Sequence, residues 1–219
     1  MASPHTADDP LRVSVLVSGS GTNLQTLIDG PHAGDDAVRI VQVVASKPGA
    51  LALERAERAG IPTLVVAQDA YPDRAARDRA LADAVEGARP HLVVLAGWMS
   101  ILTDAFLSRF PDRVINLHPS LLPAFPGMRA IEEAHAWGCR VTGVTVHFVE
   151  EQVDSGPPVL QEAVAIRPGE DVEALRERIR EVEHRLVPAA VRLFAQGRVA
   201  RHPEHRRMVT FTDTGVEGS

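Results

Sequence analysis

Short apolar runs alternate along this chain with stretches in which apolar residues recur every three or four positions. These are the two periods of buried strands and one-sided helices. The runs 12–17, 39–46, 62–66 and 91–96, rich in Val, Leu and Ile, predict strands. In 39–46 only Gln42 interrupts the apolar residues, so both faces of that strand should be buried. A further run, 114–118, carries Asn116 and His118 among Val114, Ile115 and Leu117. Two apart on a strand, the amide and the imidazole face the same side. Segment 141–149 places Val144, Val146 and Phe148 on one face and Thr145, His147 and Val149 on the other, and 159–166 reads as a last strand.

Helices are predicted between these strands. One over 23–29 is stopped by Gly30 and Pro31, one over 51–59 closes on Gly60, and one over 128–137 ends at Gly138. Asp73 caps a helix to about residue 86, with Gly87 past its end, and Thr103 caps a short one to about 109. A long helix starts at Asp171, with an apolar stripe through Leu175, Ile179, Val182 and Leu186, and Pro188 should bend it. The alternation predicts an α/β fold: a doubly wound, mostly parallel sheet with helices on both faces, in a single domain. Residues 1–10 read as a disordered tail, 11–200 as the domain and 201–219 as a polar C-terminal tail.

Composition narrows the class. Of 219 residues 45% are apolar but only 4% aromatic, so the core must be built from Val, Leu, Ala and Ile. The net charge of -6 and pI near 5.8 argue against a broad nucleic-acid surface. A single cysteine, Cys139, excludes an internal disulfide and fits a reducing compartment. No signal-peptide core or bilayer-length apolar run is present, so a cytoplasmic protein with no membrane partner is expected.

Three prolines, Pro119, Pro123 and Pro126, and then Gly127 follow His118, and they predict a stiff loop at the strand's exit. Open α/β sheets place their chemistry at this edge. With Asp154 in a turn shaped by Gly156 and Pro157, the set suits acyl transfer to an amine. Asn116 would donate to a tetrahedral oxyanion, His118 would move protons, and Asp154 would orient the ring and raise its pKa. Cys139 follows a helix rather than a base, and no G-x-S-x-G occurs, so no protein nucleophile is expected. Two histidines and a carboxylate could also hold a metal, but H-E-x-x-H is absent and none is expected.

The Gly-rich turn 18–23 (SGSGTN) leaves a strand for a helix and could form an anion nest for a phosphate monoester; a tight βα turn with no ligand reads equally well. Leu24 stands where a dinucleotide fingerprint needs a third glycine, and no P-loop motif occurs. Arg74 could meet an anion or equally be a surface arginine; Glu183 could meet a sugar hydroxyl or an amine, but by spacing alone it reads as part of a solvated face. Arg198, Arg201, Arg206 and Arg207, with His202 and His205, read as a solvated tail.

Four motifs then show a resemblance over residues 12–199. VSGSGTNLQ (17–25), LAGWMSIL (95–102), INLHPSLLPAFPG (115–127) and TVHFVEEQVDSGP (145–157) resemble, in order and spacing, the phosphoribosylglycinamide formyltransferases, folate-dependent enzymes of purine (IMP) synthesis. The resemblance implies direct transfer of a formyl group from N10-formyltetrahydrofolate, the co-substrate, to the amine of glycinamide ribonucleotide. It implies Asn116, His118 and Asp154 as the catalytic trio and His147 as a supporting histidine. It assigns the ribonucleotide to Gly21, Thr22, Asn23, Arg180, Glu181, Val182 and Glu183. The formyl donor falls to Arg74, Met99, Ser100, Ile101, Leu102, Asn116, Glu150, Glu151, Gln152, Val153 and Asp154. Ser100 stands where the family commonly has an arginine, which removes a cation from the side of the anionic folate tail. Partners on this reading are small molecules and no nucleic acid, with a homodimer left open.

Sibling enzymes, a formyltetrahydrofolate hydrolase or a methionyl-tRNA formyltransferase, would keep the same trio. The first is expected to carry a regulatory domain ahead of this one, and the second a further C-terminal domain and a basic surface. A phosphate-binding module without catalysis is the alternative of another class, and it makes His118 dispensable.

Overall fold

The computed structural model describes residues 3–212. Seven strands form one sheet in the order β3-β2-β1-β4-β5-β6-β7. Strands β1 (Leu11–Val17), β2 (Val38–Ala45), β3 (Thr63–Val65), β4 (Leu92–Leu95) and β5 (Val114–His118) run parallel. Strands β6 (Val141–Phe148) and β7 (Pro158–Ala165) close the edge antiparallel. The sheet reverses direction of growth between β1 and β4, where open α/β sheets open their ligand crevice.

Both faces are covered, as the apolar runs predict. Helices α1 (Thr22–Leu27), α2 (Leu51–Arg58), α5 (Ala130–Ala136) and α6 (Val172–Ala195) lie over one face, where Leu24, Ala52, Ala134 and Ile179 join a core with Val15, Val43 and Ile115. Helices α3 (Arg74–Gly87) and α4 (Asp104–Leu107) cover the other, through Leu81, Val85 and Phe106 against Leu16, Val44 and Val93. Asp73 and Asp171 cap as expected: each side chain accepts the main-chain N–H three residues on, from Ala76 and Ala174, at 2.7 and 2.8 Å. Asx caps satisfy helix N–H groups that have no intrahelical acceptor.

Several local expectations are corrected. Gly30 and Pro31 do not end the first helix. They lie within a π-helical turn, Ile28–His32, that continues α1. Gly87 is the last residue of α3, and Arg89 takes the left-handed φ of 50° beyond it. Thr103 precedes α4 but gives it no side-chain cap, because its hydroxyl donates to Asp78 at 2.7 Å. Pro188 lies inside the single helix α6, where the sequence places it. Residues 3–10 are not loose: His5 N–H donates to the Ala195 carbonyl at 2.7 Å, and its ring stacks on His91.

The polar C-terminal segment is also structured. Strands β8 (Val199–Arg201) and β9 (Val209–Phe211) form an antiparallel hairpin. The guanidinium of Arg201 pairs with Asp112 at 2.9 Å and with Glu150, and stands over the Phe148 ring. Three-residue strands carry too little apolar pattern to announce themselves, and the hairpin is anchored by these long-range contacts. Residues 1–2 and 213–219 of the expected tails lie outside the described residues.

Candidate active site

A cavity of about 550 Å³ opens at the carboxyl edge of the sheet. Its lining comes from β5 and the loop after it, the β4 exit, the end of β6 with its following loop, and one face of α6. The Asn116 and His118 of β5 both line it, and antiparallel pairing sets His147 opposite Asn116 and Thr145 opposite His118.

Thr145 does not face the cavity. Its hydroxyl donates to the Ser120 carbonyl at 2.7 Å and accepts from Leu122 N–H at 3.1 Å and Gln161 Nε2 at 3.0 Å. A buried hydroxyl with every partner made pins the proline-rich loop to the sheet. The pinned loop in turn holds the site. The Phe125 carbonyl accepts from His118 Nε2 at 2.8 Å, and Gly127 N–H donates to Asp154 Oδ2 at 2.8 Å.

Asp154 bridges the two imidazoles: Oδ2 lies 3.4 Å from His118 Nδ1 and Oδ1 lies 3.6 Å from His147 Nε2. Gly156 lets the chain turn back under this carboxylate, since a Cβ there would run into the Phe148 carbonyl. His147 Nδ1 donates to the Phe148 carbonyl at 2.8 Å, so its Nε2 accepts from Asn116 Nδ2 at 3.2 Å. One N–H of the Asn116 amide is thereby spent on orientation and the other is left for a ligand.

The electrostatics correct one expectation. Asp154 does favour protonated His118, but burial outweighs it, aided by His147, and the pKa of His118 lies below the ordinary value. Asp154 itself is held low. Burial works against that, and the contact with His147, the Gly127 N–H and the charge of His118 overcome it. The pair therefore rests as a neutral imidazole beside a carboxylate, ready to accept one proton at His118 Nδ1. Elsewhere in the lining, Glu183 accepts from Asn23 Nδ2 at 3.2 Å, and burial pushes its carboxyl up.

Other expected residues divide clearly. Met99, Ser100, Ile101, Leu102, Glu150, Glu151, Val153, Arg180, Glu183 and Asn23 line the cavity. Arg74 is exposed and, like Gly21, Thr22 and Gln152, is not among the lining residues. On α6 Val182 is buried in the core and Glu181 faces solvent, so the helical period removes both side chains from the cavity. Gly21 takes φ 71° at the start of α1 and packs so closely on α2 that a Cβ would meet Ala52 Cβ at 2.6 Å. The sequence reading missed Arg176, paired with Glu132 at 2.7 Å, and Ile179, both in the lining. Their signal was there: 176, 179, 180 and 183 share one helical face.

Among the described residues, no group of three or more His, Cys, Asp or Glu is arranged to hold a metal ion, and no helix is long and apolar enough to cross a membrane.

An amide, an imidazole and a carboxylate thus gather at the carboxyl edge of a doubly wound sheet, and the sequence match places the chain in a class of group-transfer proteins. The profile of the formyl transferase family covers residues 11–191, and the chain belongs to that family. It is 40% identical over 188 residues to the phosphoribosylglycinamide formyltransferase of Haemophilus influenzae, covering 86% of this chain and 89% of that protein. The crystal structure of glycinamide ribonucleotide transformylase 1 from Symbiobacterium toebii superposes with a TM-score of 0.89 at 46% identity, covering 93% of this chain and 95% of that one. The trifunctional purine biosynthetic protein adenosine-3 of Bos taurus is 44% identical over 202 residues, 92% of this chain but only 20% of that protein. The chain thus spans about a fifth of the length of the trifunctional relative and most of the length of the single-function one.

Proposed function

We propose that this enzyme transfers the formyl group of N10-formyltetrahydrofolate to the amine of glycinamide ribonucleotide, a step of purine synthesis. The observation that carries the reading is the convergence of Asn116, His118 and Asp154 in the lining of one cavity of about 550 Å³. The free N–H of Asn116 donates to the formyl oxygen as it gains charge. The amine nitrogen bonds to the formyl carbon, giving a tetrahedral intermediate. His118 Nδ1 takes the proton that this nitrogen sheds, and Asp154 stabilises the imidazolium so formed. The same proton passes to N10 of the folate as its bond to carbon breaks. No metal is used.

The ribonucleotide is assigned to the α1 and α6 side, with its phosphate at Gly21, Thr22 and Asn23 and its remaining polar groups at Arg180 and Glu183. The formyl donor is assigned to the wall made by Met99, Ser100, Ile101 and Leu102 and by the loop of Glu150, Glu151, Val153 and Asp154. Two small molecules are the partners on this reading, with no nucleic acid and a cytoplasmic setting, and light scattering on the purified chain reads any homodimer.

The deciding experiment is incubation with N10-formyltetrahydrofolate, with and without glycinamide ribonucleotide. Folate absorbance changes only with the amine present if the reading holds. A change without the amine marks hydrolysis, and no change in either arm removes the reading.

A further inference from the structure

Beneath the β4 exit lies a buried ion pair outside the cavity lining. Arg77 and Asp78, successive residues of α3, are both 0% exposed, with Arg77 Nε 2.6 Å from Asp78 Oδ1. A buried pair adds little net stability, but removing one partner is costly because it leaves the other charge buried and unpaired. What surrounds this pair is the segment 97–103. Arg77 donates to the Ile101 carbonyl at 3.1 Å and stands over the Trp98 ring, its carbon Cζ 5.5 Å from the centroid. Asp78 Oδ2 accepts from both the main-chain N–H and the hydroxyl of Thr103, at 2.6 and 2.7 Å. A third tie comes from β1, where Ser18 Oγ accepts Met99 N–H at 2.9 Å.

The ties fall at residues 99, 101 and 103. Among the described residues, the main-chain N–H and C=O groups of Ser100 and Leu102 between them have no protein partner. Both residues line the cavity. Unpaired main-chain groups on a wall held at alternate residues form a row of donors and acceptors suited to the edge of a flat heterocycle.

We infer that the Arg77–Asp78 pair is a positioning device that presents the main chain of Ser100 and Leu102 to the ring system of the formyl donor. The inference rests on the proposed function for the identity of that donor. The pair touches no substrate itself. It acts by holding the Ile101 carbonyl and the Thr103 N–H away from the cavity, so that the wall binds the donor's ring without first having to be ordered. The wall thus depends less on the side chain at 100, a serine here, than on two charges behind it.

The test compares wild type with Arg77→Met and Thr103→Ala under steady-state conditions. Arg77→Met keeps the apolar bulk and removes the charge. It should raise KM for N10-formyltetrahydrofolate about tenfold, with kcat within about twofold and KM for glycinamide ribonucleotide unchanged. Thr103→Ala keeps the charge pair and removes one of the two bonds to Asp78. It should give the same pattern at about threefold, and it carries the test if Arg77→Met does not fold. A second readout is Trp98 emission, isolated in a Trp137→Phe background because the chain has two tryptophans. The donor should change it in wild type and shift the titration midpoint in the variants. Variants that melt earlier but keep all three kinetic constants overturn the inference, as does a proportionate change in kcat and both KM values. A wild-type enzyme inert toward both substrates overturns the parent reading and this one together.

Discussion

The main-chain carbonyl of Phe125 accepts from His118 Nε2 at 2.8 Å, seven residues further along the same proline-rich loop. That bond selects the ring nitrogen available for proton transfer. With Nε2 holding its hydrogen, Nδ1 must take any incoming proton, and Nδ1 is the atom facing Asp154. Replacing His118 with alanine should lower kcat by at least about a hundredfold, the usual size of a general acid–base contribution. The melting temperature should fall only modestly, the cost of leaving the Phe125 carbonyl without its donor. Near-normal turnover would return the protein to the class of binding modules.

Asp154→Asn should also slow turnover, and its pH profile reports why. Burial already holds His118 below its ordinary value, and the carboxylate partly offsets that. Without the carboxylate the pKa falls further, so the acid limb of kcat/KM, which follows neutral His118, moves to lower pH. An unmoved acid limb would remove Asp154 from this role.

Stability should fall on the acid side of neutrality. His118, His32, His91 and His184 are all shifted below the ordinary value of 6.5, in each case chiefly by burial. A group with a depressed folded pKa adds stability above its unfolded pKa and loses it as pH falls through the folded one. Asp154 acts in the same sense at lower pH. Glu183, shifted upward by burial, acts in the opposite sense and loses its contribution as pH rises through its folded pKa. Melting temperature should therefore decline as pH drops through and below about 6.5. A flat curve across that window would contradict the burial of these rings.

Glu183→Gln should weaken ribonucleotide binding while sparing the formyl donor. Glutamine can still accept from Asn23, so the local bond survives and only the charge is lost. An increase of about tenfold in KM for glycinamide ribonucleotide is expected, the size of a hydrogen bond to a charged group. Equal effects on both substrates would place Glu183 elsewhere in the reaction.

Arg201→Met should destabilise the fold by roughly 2 kcal/mol in urea unfolding, because Asp112 and Glu150 lose a shared cation that is 11% exposed. Wild-type stability in this variant would show that the hairpin is a passive tail.

Legibility from sequence followed the range of the interaction. Asn116 and His118 could be placed on one side of a strand because the strand period needs only two intervening bonds. The Asp73 and Asp171 caps are bonds to residues three positions on, and both were readable. Gly30, Pro31 and Gly87 were misread as stops, since a glycine or proline can sit inside a terminal turn when packing holds that turn in place. Arg201 was read as a solvated cation because its partners at 112 and 150 are distant in the chain.

Composition and periodicity alone determined a doubly wound sheet with both faces covered and an amide beside an imidazole at its edge. Only the tertiary structure decided the protonation state of that imidazole. Its depressed pKa comes from burial, and the carboxylate 36 positions on in sequence arrives by the return of β6 and a turn that Gly156 permits. Desolvation depends on everything packed around a group, and no local pattern of residues carries that sum.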